Sequence, residues 1–352
     1  MKVDKSFISR KRWNVVLILL VLLLLLSISF FATMGSADIT LNETIKIVSS
    51  KLPFINKYVD KSSIPDSHQF IILKLRIPRV LLGVLVGAAL SCVGAAFQGM
   101  FKNPMADPYI IGISSGAALG ASLIIITGLN ATIFGIRSVS LGAFIGAIAS
   151  TFIVYVISRV KKRVPITVLL LSGIAVGQFF TAIMSFLMVL HSNDLTRIIF
   201  WTLGSFSGKG WNELLPIILP VFFSIVVLNF FARDLNVMLT GEESAQNMGI
   251  DVEKIKILIL IICALITAMA VSVSGIIGFV GLIVPHIVRL IVGPDHRILI
   301  PASALFGGIF MIFADTIART IIAPTEIPVG IITSLFGGPF FIYLLRKKKR
   351  SV

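Results

Sequence analysis

The sequence predicts an all-α fold, a polytopic membrane bundle of about ten spanning helices, and three observations carry that prediction. Hydrophobic residues make up 57% of the 352-residue chain and charged residues only 13%, which is too apolar for an ordinary soluble domain. The apolar residues fall into runs close to the ~20 residues a helix needs to cross the hydrocarbon core. The basic residues, which give a net charge of +15, gather in short clusters at the ends of those runs and form no continuous face of the kind nucleic acid requires.

Runs of spanning length lie at 13–33, 80–101, 110–128, 138–158, 166–190, 213–232, 254–273, 276–292, 299–322 and 328–345. The first follows Lys11 and Arg12 and precedes the small residues Gly35, Ser36 and Ala37, a pattern shared with signal peptides. It is long for such a segment and many spans follow, so an uncleaved first helix is expected. The eighth run is short and glycine-rich, and it meets the seventh at Val273-Ser274-Gly275. An even number of spans puts both termini on one side. Lys and Arg favour cytoplasmic segments. Placing the N-terminus in the cytoplasm puts 20 of the 31 basic residues there, including Arg159 to Arg163 and Arg346 to Arg350. Both termini are therefore expected to be cytoplasmic, with a long outer loop at about 34–79 and a cytoplasmic loop at about 233–253. Spans two to five and seven to ten begin on opposite sides, as an inverted repeat requires, although the sequence shows no self-match.

Small residues recur every four positions: Gly83 and Gly87, then Gly112, Gly116 and Gly120, then Gly142 and Gly146, then Gly173 and Gly177. On a helix this spacing lines one face with small side chains and lets neighbouring backbones approach closely. Cys92 and Cys263 each lie inside an apolar run with no CxxC spacing and read as packing residues.

Several chemistries lack their residues. The nearest approach to a phosphate-binding loop, around Gly208-Lys209-Gly210, has Leu203 in place of the first glycine and Gly210 in place of the Ser or Thr. An ion-coupled carrier, the rival reading from another class, needs ionisable residues inside its spans, and Asp315 and Arg319 near the outer end of the ninth are nearly all there is. Ser115 and His191 belong to opposite ends of their spans, too far apart for a nucleophile and its base. His286 and His296 flank a cytoplasmic turn and read as hydrogen-bonding residues.

Strings spread over most of the chain resemble the FecCD and BtuC type of permease, the membrane subunits of ATP-binding-cassette importers for iron siderophores, haem and cobalamin. They begin with Arg76-Ile77-Pro78-Arg79, Gly87-Ala88-Ala89-Leu90 and Gln98, followed by Asn103-Pro104-Met105-Ala106-Asp107-Pro108. Gly112-Ile113-Ser114-Ser115-Gly116-Ala117 and Trp201-Thr202-Leu203-Gly204-Ser205 continue the series. The C-terminal third is the most specific, with Gly278 to Arg289, Ala314-Asp315-Thr316-Ile317-Ala318-Arg319, Glu326-Ile327-Pro328-Val329-Gly330 and Gly337-Gly338-Pro339-Phe340-Phe341. Departures are small: Met105 stands where Leu is common, and Thr240 and Met248 loosen two Leu-Gly pairings.

The resemblance implies a BtuC-like type II importer permease, a single transmembrane permease domain over 1–352 in the plasma membrane of a prokaryote. It implies that this chain is not itself an enzyme and holds no cofactor, ATP and Mg being bound by a partner ATPase subunit. The implied partners are a cytoplasmic ATPase dimer, an extracytoplasmic substrate-binding protein, a second permease copy, identical or paralogous, and membrane lipid; nucleic acid is not among them. The implied cargo is a ferric siderophore, with haem or cobalamin as the alternative, carried by alternating access between the two permease copies.

Site roles follow by the same route. The loop between spans six and seven resembles two short helices that seat on the ATPase, and Gly241, Glu242, Glu243, Ala245 and Gly249 occupy it. Glycines turn short helices and glutamates suit a helix N-terminus, so these residue types fit that task. Arg76, Arg79 and Arg319 lie on the side where the positive-inside rule does not call for them. They match docking points for glutamates of the binding protein, a role for which a planar guanidinium is suited. For Arg319 the competing expectation is a pair with Asp315, four residues away on one helix face. Gln98, Asn103 and Pro104 are the candidates for the inner substrate path.

Overall fold

A computed structural model describes residues 12–35, 37–51, 64–133, 135–161 and 163–349. Most of the N-terminal basic cluster, the middle of the 34–79 stretch, Lys162 and Arg350 lie outside the described residues. Each expected span falls on a helix: α1 (Trp13–Thr33), α4 (Ile77–Met100), α5 (Ile113–Thr127), α6 (Ser138–Ser158), α7 (Ile166–Leu190), α9 (Trp211–Phe230), α12 (Val252–Ser274), α13 (Val280–Val292), α14 (His296–Thr320) and α15 (Val329–Lys349). Among the described residues, seven helices are long and apolar enough to cross a membrane, while α5, α13 and the apolar part of α15 are shorter.

The structure corrects two boundaries and bears out a third. The 34–79 stretch is not simply a loop, because it contains α2 (Leu41–Ser49) and α3 (Asp66–Phe70). Helix α3 runs through a π-helical turn, Ile71–Arg76, into α4, so the second apolar helix begins at Asp66 and not near residue 80. The seventh-to-eighth boundary is a true break: Gly275, at φ +71°, ends α12, and helix does not resume until Val280. A short helix, α8 (Leu195–Thr202), and a two-stranded antiparallel ribbon, β1 (Thr132–Ile133) and β2 (Ile136–Arg137), add to the predicted all-α plan. The loop after α9 folds as α10 (Ala232–Met238) and α11 (Glu242–Asn247).

Helix α4 forms the centre and packs against α9, α12, α13 and α14. Lipid is as apolar as leucine, so helices in a membrane gain from close van der Waals approach and not from hiding apolar surface. The glycines provide that approach: a Cβ on Gly87 would strike the Gly307 carbonyl, and one on Gly94 would strike that of Gly281. Gly116 faces Gly146, and Gly120 faces Gly142, along the α5–α6 seam. Gly112 departs from its expected place on a helix face, standing just before α5 at φ +78°. On the outside of the bundle large apolar side chains are bare, such as Val189 at 79% and Phe230 at 76% exposure, as lipid contact permits.

Candidate functional site

The bundle has two ends, and each carries predicted residues. At the first, the C-termini of α1 and α14 meet the start of α4, the 203–210 turn and residues 321–328. The last carbonyls of a helix have no intrahelical donor and form the negative end of its dipole. Arg76 and Arg319 supply that need for α1. Arg76 donates from Nη1 to the carbonyls of Thr33 and Ala32, the latter at 3.3 Å, and from Nη2 to that of Ala37 at 2.6 Å. Arg319 donates to Phe31 O at 2.6 Å and to Thr316 Oγ1 at 3.2 Å.

Arg79 uses its whole fork. Nε and Nη2 reach the two oxygens of Asp315 at 2.9 and 2.8 Å, while Nη1 reaches both oxygens of Glu326 at 2.8 and 3.0 Å. Arg319 Nε stands 3.9 Å from Asp315 Oδ2, so the internal pair expected for Arg319 is present. All three arginines expected to dock a partner line the cavity described next, and each also has partners within the chain. The reason is burial, since a guanidinium taken out of water must find acceptors and α1, Asp315 and Glu326 are the acceptors at hand.

These residues border a cavity of about 710 Å³ whose lining includes Lys74, Arg76, Arg79, Arg137, Lys209 and Arg319 against Glu213 and Glu326, so its field is positive. Glu326 keeps its carboxyl below the usual range because the Arg79 bonds outweigh its desolvation. Sequence reasoning missed Glu326, Glu213, Arg137 and Lys209. The signal available was the isolated charge at the edge of an apolar run.

At the other end, Gly241 at φ +134° turns the chain between α10 and α11, and Gly249 at φ +86° ends the motif. Both conformations are open to glycine and rare for other residues. Ala245 is fully buried and accepts from Ile250 N at 3.1 Å, anchoring α11, whereas Glu243 and Met248 are exposed. Glu242 and Glu243 both occupy the first turn of α11, but only Glu243 is free to point outward. Glu242 Oε1 lies 2.7 Å from Nζ of Lys256, which is buried in the first turns of α12 and also meets Glu253 at 3.2 Å.

Gln98 is buried at 3% exposure and bonded at both ends of its amide. Nε2 donates to Leu282 O at 3.2 Å and Gly281 O at 3.4 Å, and Oε1 accepts from Arg289 Nη2 at 2.8 Å. It braces α4 against α13, while Asn103 is exposed and accepts from Met105 N at 3.0 Å within its own turn. Pro104 is half-buried in the same turn. A few residues on, the Tyr109 hydroxyl donates to Ile277 O at 3.1 Å and accepts from Ile277 N at 3.2 Å, tying the 101–112 turn to the α12–α13 break. Half-buried Asp107 accepts from Tyr109 N at 2.8 Å, and burial still pushes its carboxyl up to about 6.

Comparison with known proteins places this geometry. A sequence model described as the FecCD transport family matches residues 17–347. The cobalamin import system permease protein BtuC of Halobacterium salinarum is 44% identical over 319 residues, covering 89% of this chain and 85% of the relative. The hemin transport system permease protein HmuU of Yersinia pestis is 40% identical over 295 residues, covering 82% of this chain and 87% of that one. Other relatives are named for import of ferric citrate and iron hydroxamate. Among solved structures, an inward-facing metal-chelate type ABC transporter superposes with a TM-score of 0.82 at 28% identity, covering 95% of this chain and 99% of that one.

Proposed function

The chain belongs to the FecCD transport family of ABC importer permeases, and on that premise we propose that it carries a ferric siderophore across the plasma membrane of a prokaryote as one half of a permease dimer. Ten spans with both termini in the cytoplasm put α10 and α11 on the inner side and the positive cavity on the outer side. One observation carries the mechanism: α11 is a short helix held on the bundle by Ala245 and the Glu242–Lys256 pair, with Glu243 and Met248 left facing outward. Such an element suits seating on a separate ATPase subunit. Force applied to it passes through Lys256 and Asp251 into α12, whose far end is the Gly275 break. ATP-driven closure of the ATPases thereby shifts the population between outward-open and inward-open states of the path between permease copies. ATP and Mg act on the ATPase; this chain supplies the path and the lever.

On the outer side, a binding protein with acidic patches is drawn to the positive cavity, where charge sets encounter rate and orientation. Arg79 is the docking arginine of choice, because a partner glutamate can replace Glu326 on its Nη1 while Asp315 keeps the rest of the fork. Arg76 and Arg319 hold the rim through α1. Gln98 and the Asn103–Pro104 turn would form part of the inner gate by opening and closing the α4–α13 brace.

The positive cavity favours an anionic chelate. The second reading, cobalamin or haem, is favoured by the 44% and 40% identities to permeases named for those cargoes. Uptake by vesicles holding this permease with its ATPase and binding protein, offered labelled ferric hydroxamate, ferric citrate, haem and cobalamin in turn, decides between them. Uptake by this chain without the ATPase, driven by an ion gradient, would overturn both.

A further inference from the structure

At the Arg79 end, a second cavity of about 240 Å³ opens between the first turns of α6 and α9, with α12 as its back wall. Its walls are mostly apolar, formed by Leu141, Phe144, Pro216, Ile217, Met269 and Val273, with Ser140 and Ser272 between them. Its mouth is different. Arg137, Asn212 and Glu213 line both this cleft and the larger positive cavity, so the two spaces share one charged threshold.

The charges at that threshold are incompletely matched. Glu213 is almost fully buried; Oε2 accepts from Gly210 N at 2.8 Å, while Oε1 lies at an ion-pair distance of 3.0 Å from Arg137 Nε and accepts no hydrogen bond among the described residues. A guanidinium carries five N–H donors, and that of Arg137 makes no hydrogen bond among the described residues, its contact with Glu213 being an ion pair. The Arg137 side chain is 55% exposed. Lys209, beside them in the 203–210 turn, donates its backbone N–H to Phe206 O at 3.2 Å, but its ammonium makes neither hydrogen bond nor ion pair among the described residues. Burial holds its ammonium below the usual pKa; Glu213 opposes that shift and Arg137 adds to it. Two cations thus face one carboxylate, leaving a local charge of +1 at the lip of an apolar cleft.

We propose that this cleft holds one anionic phospholipid, its phosphodiester on Arg137 and Lys209 and an acyl chain between α6 and α9. The complementarity is twofold. A single negative charge balances the threshold, and an acyl chain fills walls that are apolar apart from Ser140 and Ser272. A free anion would meet only the first demand and a neutral lipid only the second. The site lies apart from α10, α11 and the α4–α13 brace, and it requires only that the chain sit in a bilayer, whichever end faces the cytoplasm.

The test places the full chain in phosphatidylcholine nanodiscs with a trace of phosphatidylglycerol carrying a photoreactive acyl chain, and maps the cross-linked peptides. Cross-links should concentrate at residues 141–144 and 216–220, and unlabelled phosphatidylglycerol should compete far better than phosphatidylcholine. Lys209→Gln, which spares the Arg137–Glu213 pair, should weaken labelling about fivefold, the worth of one basic residue at a membrane surface. Leu141→Trp should fill the cleft and block labelling there, and if that variant misfolds the Lys209→Gln comparison still decides. Equal competition by phosphatidylcholine, displacement by inorganic phosphate at matched charge, or labelling spread evenly over the lipid-facing helices would each overturn the proposal. ATP-dependent uptake is not the readout, so failure here and failure of the transport reading are separable.

Discussion

At the Arg79 end, three guanidinia and two carboxylates are turned into the bundle and bind helix ends to one another; at the α10–α11 end, one buried lysine tethers a short helix whose remaining polar groups face outward. The first arrangement makes a rigid frame, because removing any member leaves a largely buried charge without its partner. The second makes a presented surface, because most of what it displays is solvated and its backbone is satisfied within the motif. Under the proposed function, the chain would meet its two partners differently: through a preformed positive basin at one end and a tethered projecting helix at the other.

Arg79→Ala tests the frame most severely. It abandons Asp315 and Glu326 together and should cost about 3–5 kcal/mol of stability, read as a lowered unfolding midpoint in detergent, with Asp315→Asn in the same chain recovering part of the loss. An unaltered midpoint would show that the network contributes nothing.

The turn at the α10–α11 end offers a pH test. Asp107 has its carboxyl raised to about 6 from 3.8, so the folded state holds its proton more tightly than the unfolded chain. The corresponding stabilisation is complete below the unfolded value and is lost as pH rises from about 4 to about 6, by no more than about 3 kcal/mol. Asp107→Asn should flatten that part of the pH–stability profile; a slope unchanged by the substitution would remove Asp107 as its source.

The two glutamates of α11 should then part company. Glu242→Gln loosens the tether to Lys256, which keeps Glu253, and should cost about 1 kcal/mol or less together with weaker coupling of ATP hydrolysis to uptake. Glu243→Lys should leave the unfolding midpoint where it was while reducing recovery of the ATPase subunit in pull-downs. Equal effects of both substitutions on stability would erase the distinction between tether and presented face.

Much of the architecture was legible because hydropathy and the lengths of apolar runs respond to the solvent, and lipid imposes them locally along the chain. All ten runs became helices, and the glycine series at 116, 120, 142 and 146 became the α5–α6 seam. What escaped were features decided by distant partners. Residues 66–79 contain Lys74, Arg76 and Arg79 and read as polar loop; they are helical because Arg76 reaches the end of α1 and Arg79 reaches Asp315, 236 residues away. Gln98, a path candidate in the sequence, has partners on α13 that no spacing along the chain announces.

The sequence by itself determined that this is a many-span membrane protein, and the order of its motifs determined the family, since composition and motif order are properties of the chain as written. The tertiary structure decided where each charge is spent. Ion pairs and helix-end carbonyls are satisfied by whichever group the fold brings within about 3 Å, and no spacing along the chain records that Arg79 belongs to Glu326, Glu242 to Lys256, or Arg137 to Glu213.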